Sequence, residues 1–143
     1  QIISGKFIMV GDGYNKKSMA YVDNVVAFIT YSLIFTPGIH IYNYVDKPDF
    51  TMNSLVSIVR GIMGFQAKLN VKIPYIVGLF IGKVLDFLTL ISGKKFAISS
   101  IRIKKFCANS VYNTAIDNSG FKAPITIKDA LEKTIIYEFI EKS

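Results

Sequence analysis

Basic side chains near predicted turns are the residues of this sequence whose types and positions best fit a chemical role. Lys17, with Lys16 beside it, follows a turn at 11–13, and Arg102 is one of two arginines. A cation beside a phosphate forms charge-assisted hydrogen bonds, so side chains of this type can bind an anion. The alternative for each residue is a solvated surface charge, which is the commoner state of Lys and Arg.

The distribution of charge supports an anionic partner. The net charge is +7, from 17 Lys and Arg against 10 Asp and Glu. No acidic residue occurs between Asp86 and Asp117. Five basic residues fall in that interval: Lys94, Lys95, Arg102, Lys104 and Lys105. Composition leaves open whether the anion is a phosphate, a nucleic acid or a membrane surface, but it places the predicted anion site in this interval.

Other residue types give weaker signals. His40 lies in an apolar run without an acidic or Cys neighbour, so a satisfied sheet histidine is favoured over a catalytic base. The single Cys107 cannot form an internal disulfide and, with one His, cannot build a structural zinc site. It is interpreted as a small buried hydrophobe in a reducing, cytoplasmic setting.

Size and composition favour one folded domain over residues 1–143. Hydrophobic residues make up 51% of the chain and charged residues 19%, which is enough apolar material for a core. The chain opens with Gln1, and no signal-peptide pattern follows. A fragment, a processed product or a trimmed chain is therefore expected.

Capping and turn signals predict the elements that position these residues. Helices are predicted at five places: after Asp23 or Asn24, after Thr51, from Pro74 to Gly93, after Ser99 or Ser100, and after Thr126. Strands are predicted at 6–10, 39–45 and 111–112, a connecting segment at 68–72, and a short helix between Thr114 and Gly120. The 11–13 turn is interpreted as part of a hairpin and not as a phosphate loop, because a strand follows it.

The helix after Pro74 is the most apolar part of the chain. Its stretch 76–91 is long enough to suggest a membrane span, but Lys83 and Asp86 interrupt it near the middle. These two residues lie three positions apart, so we expect a salt-linked solvent stripe with the remaining face packed inward. No integral membrane segment is predicted.

The stretch from Gly11 to Val26 resembles a pattern in extended short-chain dehydrogenases that act on nucleotide sugars: Gly-Asp-Gly, a basic residue four positions on, a strand, then Val and an acidic residue. The order of the later pieces is similar too, with Tyr42-Asn43, the Thr51 helix, the Pro-started helix, Arg102, Gly120-Phe121 and Pro124. The resemblance covers nearly the whole chain. It implies a mixed α/β fragment, mostly helical with a few short strands, that is the C-terminal substrate-binding part of such an enzyme and lacks most of the Rossmann sheet.

The resemblance also implies an NAD-dependent epimerase or dehydratase that binds a nucleoside-diphosphate sugar. Lys17, or Lys16 if the turn shifts by one residue, and Arg102 would contact the diphosphate, and Met19 stands where an aromatic residue often lines the nucleotide pocket. The glycine-rich NAD fingerprint and the Tyr-x-x-x-Lys pair of that family are absent. We therefore expect the cofactor domain to be missing and this chain alone to be inactive.

Several alternatives stay open. The family often has an Asp after the arginine to hold the ribose, whereas Ile103, Lys104 and Lys105 follow Arg102 here, so the sugar and base are unassigned. The main alternative to the enzyme fragment is a non-catalytic basic module that binds a membrane surface or a protein partner. Nucleic-acid binding is disfavoured because few aromatics interleave with the basic residues. Exposed apolar edges predict self-association, for example as a homodimer.

Overall fold

The computed structural model describes residues 2, 7–65, 71–94 and 96–141. About half of the chain is helical, with two sheets of two strands each, so the predicted mixed α/β fold class is confirmed. Contacts divide the chain into two compact units, each built from two separate stretches. Unit 1 comprises Gln1–Lys16 and Thr51–Asn109, and unit 2 comprises Lys17–Phe50 and Ser110–Ser143. The single domain over residues 1–143 stays a prediction, since contacts define units and not folding domains.

The sheet of unit 1 is parallel. Strand β1 (Met9–Val10) pairs with β4 (Lys72–Ile73). Part of the predicted 6–10 strand, at 6, and of the 68–72 segment, at 68–70, lies outside the described residues. Gly11 and Gly13 both have positive φ and form the predicted turn after β1. The predicted hairpin is wrong, because β1 pairs with β4 and the strand after the turn pairs elsewhere.

Helix α2 (Met52–Ile62) begins where its cap predicts. The Thr51 side chain accepts a hydrogen bond from the backbone N of Ser54 at 3.1 Å, and Gly64 follows the helix with positive φ. Met52 and Val56 pack with Met9 of β1 in the core of unit 1. The amphipathic pattern of this helix therefore predicted its buried face correctly.

Helices α3 (Tyr75–Ser92) and α4 (Ser100–Cys107) pack against each other in unit 1. Pro74 precedes α3 and Gly93 ends it in the left-handed conformation, as predicted. The expected inward packing of large α3 side chains is wrong, because its two buried residues, in a helix that the structure describes throughout, are glycines. Asp86 accepts a hydrogen bond from the backbone N of Ser100 at 3.1 Å, which replaces the expected pairing with Lys83.

Unit 2 contains most of the second sheet, in which β2 (Lys16–Met19) pairs with β3 (Asp46–Thr51). Helix α1 (Val22–Ser32) follows β2, and Tyr21 at its N-cap makes no side-chain capping bond. The predicted caps Asp23 and Asn24 are therefore wrong, since both lie inside the first turn.

The predicted strand at 39–45 is wrong. In the described chain this stretch has no strand assignment, and Ile39 is 92% exposed. Tyr42 and Tyr44 pack on Phe28, with ring centroids 5.4 Å and 5.5 Å from it, so side chains and not a sheet ladder hold the stretch. The strand forms instead at β3, directly after the predicted stretch. His40, expected in a sheet, is exposed, and its Nε2 lies 2.9 Å from the Thr36 carbonyl oxygen.

The end of the chain completes unit 2. A single 3₁₀ turn (Ile116–Ser119) lies where the short helix was predicted, and Gly120 follows it with positive φ. Helix α5 (Ile127–Ile136) is capped by Thr126, as predicted, and continues into a π-helical turn (Tyr137–Glu141). In place of the predicted strand at 111–112, a single bridge joins Ser110 to Lys17.

Candidate substrate-binding residues

Lys17 is held in β2 beside Ser110. Its Nζ donates to Ser110 Oγ at 3.3 Å, and the backbone N of Ser18 donates to the Ser110 carbonyl at 2.8 Å. Lys17 is half-buried, so its stem is packed while its ammonium lies next to a hydroxyl. An ammonium carries three donors and a hydroxyl both donates and accepts. Lys17 and Ser110 therefore form a polar pair within unit 2.

An adjoining polar cluster fixes the backbone around Lys17. Asp49 accepts hydrogen bonds from Ser18 Oγ at 2.6 Å and from Lys47 Nζ at 2.9 Å. The Lys47 ammonium also donates to the Tyr112 carbonyl at 2.9 Å, and the Tyr112 backbone N donates to Ser18 Oγ at 2.9 Å. These bonds tie β2, β3 and the segment after Ser110 together within unit 2.

Arg102 lies in the first turn of α4, in unit 1. Its backbone N donates to the capping Ser99 Oγ at 3.2 Å, and its Nη1 donates to the Ala97 carbonyl at 2.6 Å. The side chain is exposed. A guanidinium has five N–H donors in a fixed fork, so the bond to Ala97 orients the group and leaves donors for an anion.

The remaining predicted ligands have ordinary surroundings. Lys16 is exposed, and its backbone N donates to Asn109 Oδ1 at 2.7 Å. Met19 is half-buried at the end of β2, which agrees with packing in the sheet. Lys17 and Met19 belong to unit 2, whereas Lys16 and Arg102 belong to unit 1. The predicted contacts of Lys17 or Lys16 and of Arg102 with a diphosphate, and of Met19 with a nucleotide, stay predictions.

Unit 2 contains a buried polar network that the sequence did not predict. Asn24 is fully buried; its Nδ2 donates to Asp46 Oδ1 at 2.9 Å and to the Ile125 carbonyl at 2.8 Å, and its Oδ1 accepts from the Ile125 N. Asp46 also accepts from the Tyr21 backbone N and from the Tyr44 hydroxyl. Burial, and secondly the Asp46 carboxylate, raises the pKa of Tyr44 above its ordinary value. The network is satisfied within itself, so it is a structural support for β3 and α1.

A cleft of about 340 Å³ in unit 2 opens beside this network. Tyr44, Asp46, Lys47, Lys122 and Thr126 are among its lining residues. A second cleft of about 460 Å³ is largely aromatic and includes Phe28, Phe35 and His40. Lys16, Lys17, Met19 and Arg102, all within the described chain, line neither of these two clefts.

The 11–13 turn is a structural turn and not a phosphate cradle. Gly13 is buried, and the Asn53 side chain occupies the space that a Cβ at this position would take. Asn53 Nδ2 and Lys72 Nζ donate to the Asp12 carbonyl at 2.9 Å and 3.2 Å. The turn is therefore filled by this chain itself.

Cys107 makes a structural contact within unit 1. Cys107 is half-buried, and its Sγ donates to the Val10 carbonyl at 3.3 Å. Within the described ranges, no three His, Cys, Asp or Glu side chains gather in a group that could hold a metal ion.

Comparison with known proteins gives one clear match. No family model and no solved structure matches the chain. The chain is 48% identical over 142 residues to the N-acetyl-alpha-D-glucosaminyl-diphospho-ditrans,octacis-undecaprenol 4-epimerase of Escherichia coli O157:H7. The match covers 98% of this chain and 43% of the relative, so the chain spans less than half the length of the protein it resembles. By its name, that protein is a 4-epimerase of a sugar that a diphosphate joins to undecaprenol.

Proposed function

We propose that this chain is the substrate-binding portion of an epimerase whose sugar is carried on a diphosphate joined to a polyprenyl lipid. The observation that carries the proposal is the 48% identity to a lipid-diphosphosugar epimerase along 98% of the chain. Because the shared chemistry is a sugar diphosphate, the proposal keeps the predicted diphosphate contacts and replaces the nucleoside by a lipid.

Lys17 and Arg102 are the proposed diphosphate ligands. Lys17 offers an ammonium with the Ser110 hydroxyl 3.3 Å away, and Arg102 offers an exposed guanidinium oriented by Ala97. Charge-assisted bonds of this kind are roughly twice as strong as neutral ones. The Asp that often follows this arginine in the resembled family, and holds the ribose, is replaced here by Ile103, Lys104 and Lys105. This difference supports a lipid-linked substrate, because a substrate without ribose needs no carboxylate at that point.

NAD is proposed as the cofactor of the whole protein, but the described residues do not fit it. The 11–13 turn is filled by Asn53 and leads into β2, whereas a dinucleotide site needs a glycine-rich loop that opens a helix. No redox step is therefore assigned to this chain. We propose that a cofactor domain lies in the rest of the protein and that the protein is cytoplasmic.

Substrate binding by the intact protein tests the proposal. The probes are a short-chain polyprenyl-diphospho-N-acetylglucosamine and UDP-N-acetylglucosamine, titrated by calorimetry in detergent. We expect tighter binding of the lipid-linked sugar. Arg102→Ala should weaken it by about 10- to 150-fold, which corresponds to a lost hydrogen bond from a charged group.

Matched variants make the test specific. Lys17→Ala should weaken binding more than Lys128→Ala, which removes an exposed lysine of α5 in the same unit. Arg102→Lys should recover part of the affinity, because it keeps the charge and loses the fork. Equal affinities of wild type, Arg102→Ala and Lys17→Ala would remove both residues from the site, and preference for the UDP-sugar would restore the nucleotide.

A further inference from the structure

Helix α3 buries its small residues and exposes its large ones. Its buried residues, in a helix described from end to end, are Gly78 and Gly82. A Cβ added at Gly82 would lie 2.8 Å from the backbone of Ser100, so the two helices approach as closely as glycine allows. Four large apolar residues are between 61% and 79% exposed: Ile76, Phe80, Phe87 and Ile91. A helix of a water-soluble domain normally has the opposite arrangement.

The exposed residues form one continuous stripe. At about 100° per residue, Ile76, Phe80, Phe87 and Ile91 lie within about 30° of one direction, roughly opposite the two glycines. At about 1.5 Å per residue the stripe is about 22 Å long. Lys83 lies about 50° from its centre, where a long aliphatic stem can follow an apolar surface and keep the ammonium in water.

Exposed cations belong to the same unit as the stripe. Lys94 follows the end of α3, and Lys104 lies on α4; both are exposed, and no acid occurs between Asp86 and Asp117. Ile98 and Ile101 are 47% and 64% exposed among these cations. Apolar side chains with adjacent Lys and Arg are the combination that binds an interface of acyl chains and anionic headgroups.

The contacts of α3 favour a position along the membrane and not across it. By length and composition, α3 is the one helix in the described chain that qualifies to cross a bilayer, and 11% of its 18-residue window is buried. However, α4 packs against it near its middle, where Gly82 meets Ser100 and Asp86 accepts from the Ser100 N. A spanning α3 would carry the cations of α4 into the hydrocarbon, which is costly.

We propose that α3 docks this protein on an anionic lipid bilayer, with the stripe and Lys83 in the interface, the helix parallel to the membrane plane and α4 on the side of α3 away from the membrane. This inference rests on α3 and α4 alone. The lipid-linked substrate proposed above gives membrane docking a purpose, but it is tested separately.

Vesicle flotation of the full chain is the direct experiment. The probes are vesicles of phosphatidylethanolamine with phosphatidylglycerol at 3:1, and vesicles of phosphatidylcholine alone. We expect binding to the anionic vesicles that falls with added salt. The double variant Phe80→Ser/Phe87→Ser should lower the partition coefficient at least about 10-fold, since two aromatic side chains leave the interface. The matched control, Leu33→Ser/Ile39→Ser, removes two exposed apolar residues of unit 2 and should bind as wild type does.

Further readouts separate the alternative occupants of the stripe. Lys83→Glu should weaken binding to the anionic vesicles about three- to tenfold, and Lys128→Glu should not. Alkaline carbonate should release the bound chain; retention would indicate a spanning helix and overturn the proposal. Absence of vesicle binding would also overturn it. If light scattering then shows that Phe80→Ser/Phe87→Ser changes a dimer into a monomer, the stripe is covered by a second copy of the chain and not by a bilayer. Affinity for the lipid-linked sugar in detergent should be the same for this variant and wild type, so failure of docking and failure of the proposed function are distinguishable.

Discussion

Helices α2 and α3 of unit 1 are both apolar and both are followed by a glycine with positive φ, yet α2 buries large side chains and α3 buries glycines. Helix α2 buries Met52, Val56 and Val59, whereas α3 buries Gly78 and Gly82. The large side chains of α2 therefore stabilise the fold, and those of α3 contribute little to it. The difference teaches that an apolar helix sequence does not reveal which side faces the core.

The largest expected effect compares one substitution in each helix. Val56 is 3% exposed, so Val56→Asp would bury an unpaired charge and should cost more than about 4 kcal/mol of unfolding free energy. Phe80→Asp on the exposed stripe should change it by less than about 0.5 kcal/mol. Urea unfolding followed by circular dichroism measures both. Similar losses in the two variants would mean that the stripe of α3 is part of the core.

Glycine substitutions in the two helices should change the unfolding free energy in opposite directions. Gly61 of α2 has open space around it, so Gly61→Ala should raise the unfolding free energy by about 0.5–1 kcal/mol. At Gly82 the added methyl meets the Ser100 backbone at 2.8 Å, so Gly82→Ala should lower it by about 1–3 kcal/mol. The same urea titration decides, and a stabilising Gly82→Ala would show that α3 and α4 do not approach closely in solution.

The smallest expected effect concerns how α2 begins. Thr51→Ala removes the side-chain oxygen that accepts from the Ser54 N and should cost about 1 kcal/mol. Thr51→Ser keeps the oxygen and serves as the control, with a change of less than about 0.5 kcal/mol. Thermal unfolding measures the two variants, and an equal melting temperature for Thr51→Ala and Thr51→Ser would contradict the role of this cap.

Local signals predicted the helices well because their causes lie within a few residues. The caps Thr51, Ser99 and Thr126 each accept a hydrogen bond from a backbone N three residues on. Strand pairing depends on distant partners, and the strands predicted at 39–45 and 111–112 do not form. The stretch 39–45 has β-branched and aromatic residues, but aromatic packing on Phe28 holds it, and the strand forms from Asp46 onward.

The candidate site was predictable by residue type and not by environment. A basic residue after the turn and an arginine on a capped helix were identifiable from the sequence, but their neighbours Ser110 and Ala97 were not. The Asn24 network was missed because its partners lie 22 and 101 residues away. The available signal was an Asn within an apolar helix pattern. It was interpreted as a helix cap, which does not require burial or distant partners.

The interleaved path of the chain has a consequence for dissecting this protein. The backbone passes between the units at three peptide bonds: after Lys16, after Phe50 and after Asn109. No single cut releases either unit alone: removing 110–143 keeps both halves of unit 1 with the first half of unit 2 still inserted, and removing 1–16 keeps both halves of unit 2 with the second half of unit 1 still inserted. Isolating unit 2 would require an engineered splice from Phe50 to Ser110. During synthesis, unit 1 must wait for its second half while the first half of unit 2 leaves the ribosome.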